Sequence, residues 1–399
     1  MAGRSQTRRC IAFVNLYTEM GGGEYAVYNL IKELDKTRFR PIMLFSQRGS
    51  FVEKIESLGV ETAVLPYQAV MLKRLANPLV FWKTMKASRE VYRVLKHEEV
   101  ALVHCSDVLA LVLVAFPVLR LRLPVVYSVI FLYEWSRIVL FNLFALMVVD
   151  RIVANSHVVE RDLARRTFFL SKKIETVYNG VDASLFRTLQ DGERNVLREE
   201  LNLDPHTRLV GMVGRFDPAK GHPIFLNAAA CVLETRSDVA FVIIGGLLNA
   251  DAIPPFRQYY REVMLAHERL GLGDRVRFLE HRDDMPDVMR SLDLLVCPSV
   301  SEGFGLVILE GLASGIPVVV SRAVGALEVV RDAPGVHVAE IADPHSFADR
   351  IAETLDASAA EVVVPIRKSA DRILLKCSWH EYARRIERLY ASLETPVTP

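Results

Sequence analysis

Two carboxylates stand eight positions apart in the stretch SVSEGFGLVILEGLASGIPVVVS, residues 299–321. Glu302 precedes a Gly-aromatic-Gly turn, whereas Glu310 lies within an apolar segment that is predicted to be a helix from about Gly305 to Ser314. If the helical rise held between the two glutamates, they would lie ~12 Å apart, about the length of a nucleoside diphosphate sugar. One carboxylate would hold the hydroxyls of the sugar, and the other those of the ribose. The structural alternative is a capped core helix with an exposed Glu310.

The segment between these carboxylates begins with a Gly-Phe-Gly turn, in which two residues have no side chain. At the N-terminus of a helix, backbone N–H groups point outward and favour an anion. We therefore predict that a diphosphate lies against the amides that follow Glu302, which belong to Gly303, Phe304, Gly305 and Leu306.

Two cations occur in VGMVGRFDPAKGH, after another strand-like run. Arg215 follows Gly214 directly, and Lys220 stands where the next helix is predicted to begin. A guanidinium and an ammonium at the end of a strand suit a diphosphate. The alternative is a pair of solvated surface cations, which the strongly apolar strand before them disfavours.

A third candidate is the run Gly21, Gly22 and Gly23, which separates a predicted strand from a helix starting near Glu24. Glycines there let a phosphate or a sugar approach the backbone closely. The run matches neither the dinucleotide fingerprint nor the ATP-binding P-loop. A tight turn before a helix is the alternative explanation.

The elements that would position these groups are alternating strands and helices. Apolar, β-branched runs such as CIAFVNLY, ALVHCS and LPVVYSVI alternate with helical patterns, and the alternation restarts near residue 208 with RLVGMVGRF, VAFVIIGG, LLVCPS and IPVVVS, followed by a helical tail. Such patterns indicate parallel sheets covered on both faces. In sheets of this kind, ligands bind beyond the carboxyl ends of the strands, where every motif above falls.

Composition limits the function classes. The 399 residues are 51% hydrophobic and 24% charged, and they are long enough for two domains. The formal net charge is only +1, so the chain lacks the overall positive potential that would attract nucleic acid. Five scattered cysteines without a C-x-x-C pair indicate reduced thiols in a cytosolic protein. The basic and then apolar N-terminus favours a first strand over a signal peptide.

Two apolar stretches, residues 108–119 and 138–149, are each too short to cross a bilayer. They are predicted to be buried helices, or else part of a domain that rests on a membrane surface. The basic residues nearby are predicted to meet anionic lipid or to form a solvated helix face; they are Lys73, Arg74, Lys83, Lys86, Arg89 and Arg93.

Taken together, VGRFDPAKGH, VYNGVDASLF, the stretch 299–321 and MGGGEYAVYNLIKEL resemble the retaining GT-B glycosyltransferases of family 4. The resemblance implies two facing Rossmann-like domains with a cleft between them. An acceptor-binding domain would span residues 1–187, with a C-terminal helix (378–399) crossing back to it, and a donor-binding domain residues 188–377. The hinge-side motif would be Asn179, Gly180 and Asp182.

The resemblance also implies roles. Arg215 and Lys220 would bind the donor diphosphate, Glu302 would face the donor sugar and Glu310 would hold the ribose. These expectations make Arg215, Lys220 and Glu302 catalytic and add a set of donor-binding residues: Gly22, Gly23, Gly214, Gly303, Phe304, Gly305, Leu306 and Glu310. Neither a metal nor another cofactor is expected, because the family needs none.

The sequence departs from the family pattern at Ile130, where many members carry a histidine; Tyr127, Ser128 and Glu134 are the nearby candidates to replace it. It departs also after VAFVIIG and at Glu280, near the expected base. The expected partners are a nucleotide sugar and a glycan or lipid-linked acceptor, with peripheral membrane contact through the N-terminal domain and no nucleic acid. The expected location is the cytoplasm, at the inner face of the membrane.

Two other functions remain open. A GT-B epimerase would turn over the donor without an acceptor, whereas a phosphorylase would need a pyridoxal-binding lysine context that the sequence lacks. A catalytically silent GT-B protein would instead bind a glycan or a partner through its N-terminal domain, but retention of all four charged residues of the donor motifs disfavours it.

Overall fold

The computed structural model describes residues 8–65, 78–129, 135–190, 193, 195–246, 254–357, 364–366, 368, 373 and 375–393. The chain forms two compact units. Unit 1 comprises Met1–Asn179 and Trp379–Pro399, and unit 2 comprises Gly180–Ser378. The chain thus passes from unit 1 to unit 2 at the predicted hinge-side motif, eight residues before the boundary placed at 187 in the sequence.

Unit 1 is built on a seven-stranded parallel sheet with the order β3-β2-β1-β4-β5-β6-β7. Its strands are β1 (Arg9–Val14), β2 (Phe39–Phe45), β3 (Glu61–Val64), β4 (Val100–Cys105), β5 (Val125–Val129), β6 (Arg151–Ala154) and β7 (Ile174–Thr176). The central strands are buried almost throughout, because helices cover the sheet.

The helices of unit 1 follow the strands in turn. They are α1 (Gly22–Glu33), α2 (Ser50–Ser57), α3 (Pro78–His97), α4 (Val108–Leu121), α5 (Trp135–Val148), α6 (His157–Arg166) and a 3₁₀ helix (Phe168–Lys173), with a C-terminal helix (Trp379–Ser392) that packs on α1. Helix α1 begins at Gly22, two residues before the predicted start, so two of the three glycines lie inside its first turn.

Unit 2 repeats the construction with six parallel strands in the order β10-β9-β8-β11-β12-β13. They are β8 (Arg208–Val213), β9 (Val239–Ile244), β10 (Val276–Leu279), β11 (Leu294–Cys297), β12 (Val318–Ser321) and β13 (Val336–Ala339). The last strand corrects the sequence analysis, which assigned this region to a helical tail.

The helices of unit 2 alternate with these strands. They are α7 (Val196–Glu200), a 3₁₀ helix (Pro218–Lys220), α8 (His222–Thr235), α9 (Pro254–Arg269), a 3₁₀ helix (Gly273–Arg275), α10 (Met285–Ser291), α11 (Leu306–Ala313), α12 (Leu327–Val330) and α13 (Pro344–Asp356). The two parallel, helix-covered sheets confirm the predicted α/β fold of two Rossmann-like domains. In unit 2 the strand order reverses between β8 and β11, where a doubly wound sheet opens a crevice for a ligand.

Candidate functional site

Two predicted residues meet at the point where the strand order of unit 2 reverses. Lys220 lies at the end of the 3₁₀ helix that follows β8, and Glu302 lies in the loop that follows β11. The backbone joins these connections, since Val300 N donates to the carbonyl of Ala219 at 2.9 Å. Residues 82 positions apart in the sequence are thereby placed side by side.

Gly221 is what lets the two connections approach. Its φ is +77°, and a Cβ there would lie 2.2 Å from the carbonyl oxygen of Pro298, at the end of β11. A side chain at this position would push the Lys220 turn away from the loop that carries Glu302. The glycine is therefore a geometric requirement of the site.

Lys220 and Glu302 form an ion pair. The ammonium of Lys220 donates to Oε2 of Glu302, and the hydroxyl of Ser299 donates to the same oxygen at 3.3 Å. Burial alone would lower the pKa of Lys220, but the Glu302 carboxylate outweighs it and raises that pKa above the ordinary value. The side chains remain 25% and 15% exposed, so a charged pair that stays accessible stands at the end of the sheet.

Arg215 supplies a second cation on the same connection. It lies two residues after β8, and its exposed guanidinium has Asp217 3.7 Å away. Gly214, just before it, has only the aliphatic part of Lys220 near its Cα, at 3.5 Å from an added Cβ. Both predicted cations therefore lie on the connection from β8 to α8, and Arg215 is the more exposed of the two.

The loop after Glu302 is held by the segment that follows β12. Gly325 N donates to the carbonyl of Glu302 at 3.3 Å, and Ala326 N donates to that of Phe304 at 2.7 Å. The Phe304 side chain is buried. Gly305, with a φ of +91°, then redirects the chain into α11.

The spacing argument behind the two glutamates needs a correction. Helix α11 begins at Leu306, so Glu302 lies outside it and the rise of a helix does not hold between the carboxylates. Glu310 does lie in the helix, half-buried, and its side-chain carboxyl group has no hydrogen-bond or ion-pair partner among the described residues. Burial raises the pKa of Glu310 to about 7, because it disfavours the charged form of the carboxyl group.

His222 is a residue that the sequence analysis missed. It is the first residue of α8, next to Gly221, and is completely buried, stacked on the ring of Phe216 at 4.6 Å. The hydroxyl of Tyr259 lies 3.3 Å from its Nδ1, whereas its Nε2 has no partner among the described residues. Burial, with a contribution from Lys220, lowers the pKa of His222 to about 3.

The remaining predicted positions lie in unit 1 or outside the described residues. Gly22 and Gly23 belong to the first turn of α1, and a Cβ on Gly22 would meet no atom within 4 Å. Ile130 and Glu134 lie outside the described residues. Tyr127 is buried in the core against Phe141, which rules its side chain out as a surface replacement for a family histidine.

Ser128 is part of a buried network that the sequence did not indicate. Its hydroxyl lies 2.7 Å from Nε2 of His104, and the other ring nitrogen of His104 contacts the hydroxyl of Tyr390 on the C-terminal helix. Burial lowers the pKa of His104 to about 3, so this histidine is neutral. A local pattern gives no sign of it, because its partners are 24 and 286 positions away.

Two features were not found within the described ranges. No group of three or more His, Cys, Asp or Glu side chains is arranged to hold a metal ion there. Nor does any helix in those ranges have the length and apolar character to cross a membrane.

Two families of known proteins match consecutive parts of the chain. The family described as Glycosyltransferase Family 4 matches residues 20–185, and the family described as Glycosyl transferases group 1 matches residues 193–372. The chain belongs to the family 4 glycosyltransferases. The predicted family is thus confirmed, and the site at the strand reversal of unit 2 lies within the group 1 match.

Curated relatives are similar in sequence to this chain over part of their length. The D-inositol 3-phosphate glycosyltransferase of Corynebacterium glutamicum (strain R) is 30% identical over 245 residues, which are 60% of this chain and 57% of that relative. The enzyme of the same name from Mycobacterium sp. (strain KMS) is 37% identical over 224 residues, 55% of this chain and 47% of that protein. The chain therefore spans about half the length of the curated relatives that it matches.

Solved structures share the fold over almost the whole chain. Anabaena Alr3699/HepE in complex with UDP and glucose has a TM-score of 0.81 at 22% identity, covering 96% of this chain and 99% of that one. A glycosyltransferase from Rickettsia africae ESF-5 has a TM-score of 0.79 at 18% identity, covering 97% and 99%. These similarities concern the fold.

Proposed function

We propose that this family 4 member transfers a sugar from a nucleoside diphosphate sugar to a hydroxyl acceptor, with retention of the anomeric configuration. The observation that carries the proposal is the accessible Lys220–Glu302 ion pair at the strand reversal of unit 2. A core ion pair would be sealed, whereas this one remains open to an anion. Unit 2 would then bind the donor and unit 1 the acceptor.

In this proposal the diphosphate takes Lys220 and Arg215 as its cations and the amides of Gly303 to Leu306 as its hydrogen-bond donors. Glu302 turns to the hydroxyls of the sugar, and Glu310 accepts hydrogen bonds from those of the ribose. That contact would explain why Glu310 is half-buried without a partner among the described residues. Gly214, on the connection from β8, and Gly22 and Gly23, in the first turn of α1, would let the donor approach the backbone.

The chemistry follows from where charge develops. The bond between the anomeric carbon and the diphosphate oxygen breaks, and the acceptor oxygen bonds to the same face of that carbon while its proton passes to the departing diphosphate. Negative charge grows on the diphosphate, so stabilisation by Lys220, Arg215 and the amides is the main catalytic term. This front-face route needs no second nucleophile on the protein and makes no covalent intermediate.

The first point to test is which nucleoside diphosphate sugar is the donor. A structural neighbour solved with UDP and glucose supports uridine diphosphate sugars as the first candidates. We propose a glycan or a lipid-linked saccharide as the acceptor, and the cytoplasmic face of a membrane as the place where unit 1 meets it.

Thermal unfolding in a series of nucleoside diphosphates and their sugars tests donor binding, since a ligand raises the midpoint according to its affinity. We expect a clear rise for one base, which is abolished in Lys220→Ala, whereas Glu302→Ala should lose only the further rise that the sugar of the donor gives. The proposed function is wrong if both variants transfer sugar from a proven donor at the rate of the unaltered chain. Turnover of that donor without any acceptor would favour an epimerase, and binding without turnover under any condition would favour a silent binding protein.

A further inference from the structure

Three helices on one face of unit 1 form a continuous surface. Helix α4 packs against α3 on one side and α5 on the other, and α5 also packs on the 3₁₀ helix Phe168–Lys173. The rings of Tyr92 on α3 and Phe116 on α4 lie 6.2 Å apart, which fixes the two helices side by side. Exposed side chains on these four elements therefore belong to one surface.

Helix α5 is apolar on both of its faces. One face enters the core of unit 1 with four buried residues: Ile138, Phe141, Ala145 and Val148. The other presents four large apolar residues that are between 49% and 66% exposed: Val139, Leu143, Leu146 and Met147. Their spacing follows the helical period, so they form a single stripe. An ordinary surface helix carries polar residues there.

The apolar stripe continues on the neighbouring elements. Phe116 and Leu119 of α4 are exposed, and Phe169 of the 3₁₀ helix is 79% exposed. The segments of α4 and α5 contain no Asp or Glu. Scattered apolar residues on a surface are normal, but a joined patch on three elements marks an interaction site.

Helix α3 borders this patch with positive charge. Lys86, Arg89 and Arg93 repeat at helical spacing along its exposed side, next to Lys83 and an exposed Trp82. Arg93 pairs with Glu90 on the same helix, whereas Lys83, Lys86 and Arg89 have no ion-pair partner among the described residues. Lys73 and Arg74, predicted earlier with this group, lie outside the described residues.

We propose that this surface of α3, α4, α5 and the 3₁₀ helix docks on an anionic lipid bilayer. The stripe of α5 enters the boundary between headgroups and acyl chains, while the cations of α3 contact lipid phosphates. Trp82 suits that depth, because its ring is amphipathic. The inference deepens the proposed function, on which its biological meaning rests, since a lipid-linked acceptor would be met on this side.

Charge and composition favour lipid over a protein partner as the occupant. Lysine is depleted in the cores of protein interfaces, whereas rows of lysine and arginine beside exposed leucine and tryptophan are typical of helices that lie on anionic membranes. With 14 residues, α5 lies on the surface of a bilayer and does not cross it.

Flotation of the full chain with vesicles tests the proposal. Vesicles of three parts phosphatidylcholine and one part phosphatidylglycerol are compared with pure phosphatidylcholine. We expect the chain to float with the anionic vesicles and to bind the neutral ones at least ten-fold less. The combined variant Lys83→Gln, Lys86→Gln, Arg89→Gln should weaken binding to the anionic vesicles about 100-fold, since one cation near such a surface is worth about five-fold.

The apolar part is tested separately. Leu143→Ser with Met147→Ser should weaken binding more than ten-fold, because these side chains would enter the acyl boundary. A matched control replaces two exposed leucines of unit 2, Leu265→Ser and Leu375→Ser, and should bind like the unaltered chain. Thermal unfolding of each variant shows that unit 1 remains folded.

The proposal is overturned if the unaltered chain stays at the bottom with anionic vesicles, or if both sets of substitutions leave flotation unchanged. Loss of a dimer in Leu143→Ser with Met147→Ser, without any vesicle binding by the unaltered chain, would assign the surface to a second copy instead. The thermal shift with nucleoside diphosphates is recorded on the same samples. Flotation without that shift would contradict the proposed donor function alone, and a shift without flotation would contradict the docking surface alone.

Discussion

Each unit contains a completely buried histidine near the carboxyl edge of its sheet, and the two histidines differ in their partners. In unit 1, both ring nitrogens of His104 are used, by Ser128 of β5 and Tyr390 of the C-terminal helix. In unit 2, Nε2 of His222 has no partner among the described residues, and the accessible Lys220–Glu302 pair lies close by in the sequence and the fold. The two sheets thus differ at these histidines: His104 has a partner at each ring nitrogen, whereas His222 has one ring nitrogen without a partner among the described residues and lies near an accessible ion pair.

The strongest expected effect is on the charged edge. Lys220→Met should lower kcat/KM for sugar transfer by about 100- to 1,000-fold, the range seen when one preorganised group that stabilises developing charge is removed. Steady-state kinetics with the identified donor measure it. Lys376→Met, an exposed lysine of unit 2, is the control and should stay within two-fold of the unaltered chain. An equal effect of both substitutions would contradict the assigned role.

Loss of the His104 side chain should affect stability and not donor binding. His104→Ala leaves a cavity and removes a partner from Ser128 and Tyr390, so the free energy of unfolding should fall by about 2–4 kcal/mol. Urea unfolding measures it. The thermal shift given by the nucleoside diphosphate should persist, since His104 belongs to unit 1. If His104→Ala had normal stability but no longer showed the thermal shift with the nucleoside diphosphate, the contrast between His104 and His222 would be wrong.

Glu310 predicts a pH dependence of stability. Its pKa is raised from 4.5 to about 7 in the folded chain, so the unfolded chain loses this proton at lower pH. The contribution of Glu310 to stability is complete below pH 4.5 and is lost as the pH rises to about 7. Glu310→Gln should therefore raise the free energy of unfolding relative to the unaltered chain at pH 8 but not at pH 4.5. Urea unfolding at both values checks this, and equal differences at the two values would contradict it.

The smallest expected effect belongs to His222. His222→Phe keeps the stacking on Phe216 but removes both ring nitrogens, and we expect a roughly five-fold weaker affinity for the nucleoside diphosphate, equivalent to one hydrogen bond of about 1 kcal/mol. Isothermal calorimetry measures the affinity. Phe225→Leu, a core change elsewhere on α8, controls for a general disturbance of that helix. Unchanged affinity in His222→Phe would make His222 a purely structural residue like His104.

The parts of the fold that the sequence predicted are those with a local signal. Strands such as β9 and β12 are continuous apolar runs because both faces of a parallel sheet are covered. Strand β13 lies at the edge of its sheet, is only half-buried and contains His337 between valines. Its sequence is therefore not a continuous apolar run, and the strand was missed. Its short length added to the ambiguity.

The sequence predicted the individual residues of the candidate site but not the contacts between them. Lys220 and Glu302 were recognised as charged residues after apolar strands, but their direct pairing depends on how two loops meet through Gly221. His104 and His222 were missed because burial and partners distant in sequence, which no local pattern records, define them. The exposed stripe of α5 was hidden for the same reason, since its composition resembles that of an entirely buried helix.

The contact that Gly221 permits has a consequence for the order in which a donor is recognised. Lys220 and Glu302 serve as counter-ions for each other, so the two side chains together contribute no net charge. In the proposed function, a diphosphate would replace Glu302 as the partner of the Lys220 ammonium, and the carboxylate would then be able to accept hydrogen bonds from a sugar. A neutral sugar alone brings no charge to exchange. In the proposed function, the nucleotide part of the donor would therefore break this ion pair before Glu302 binds the sugar.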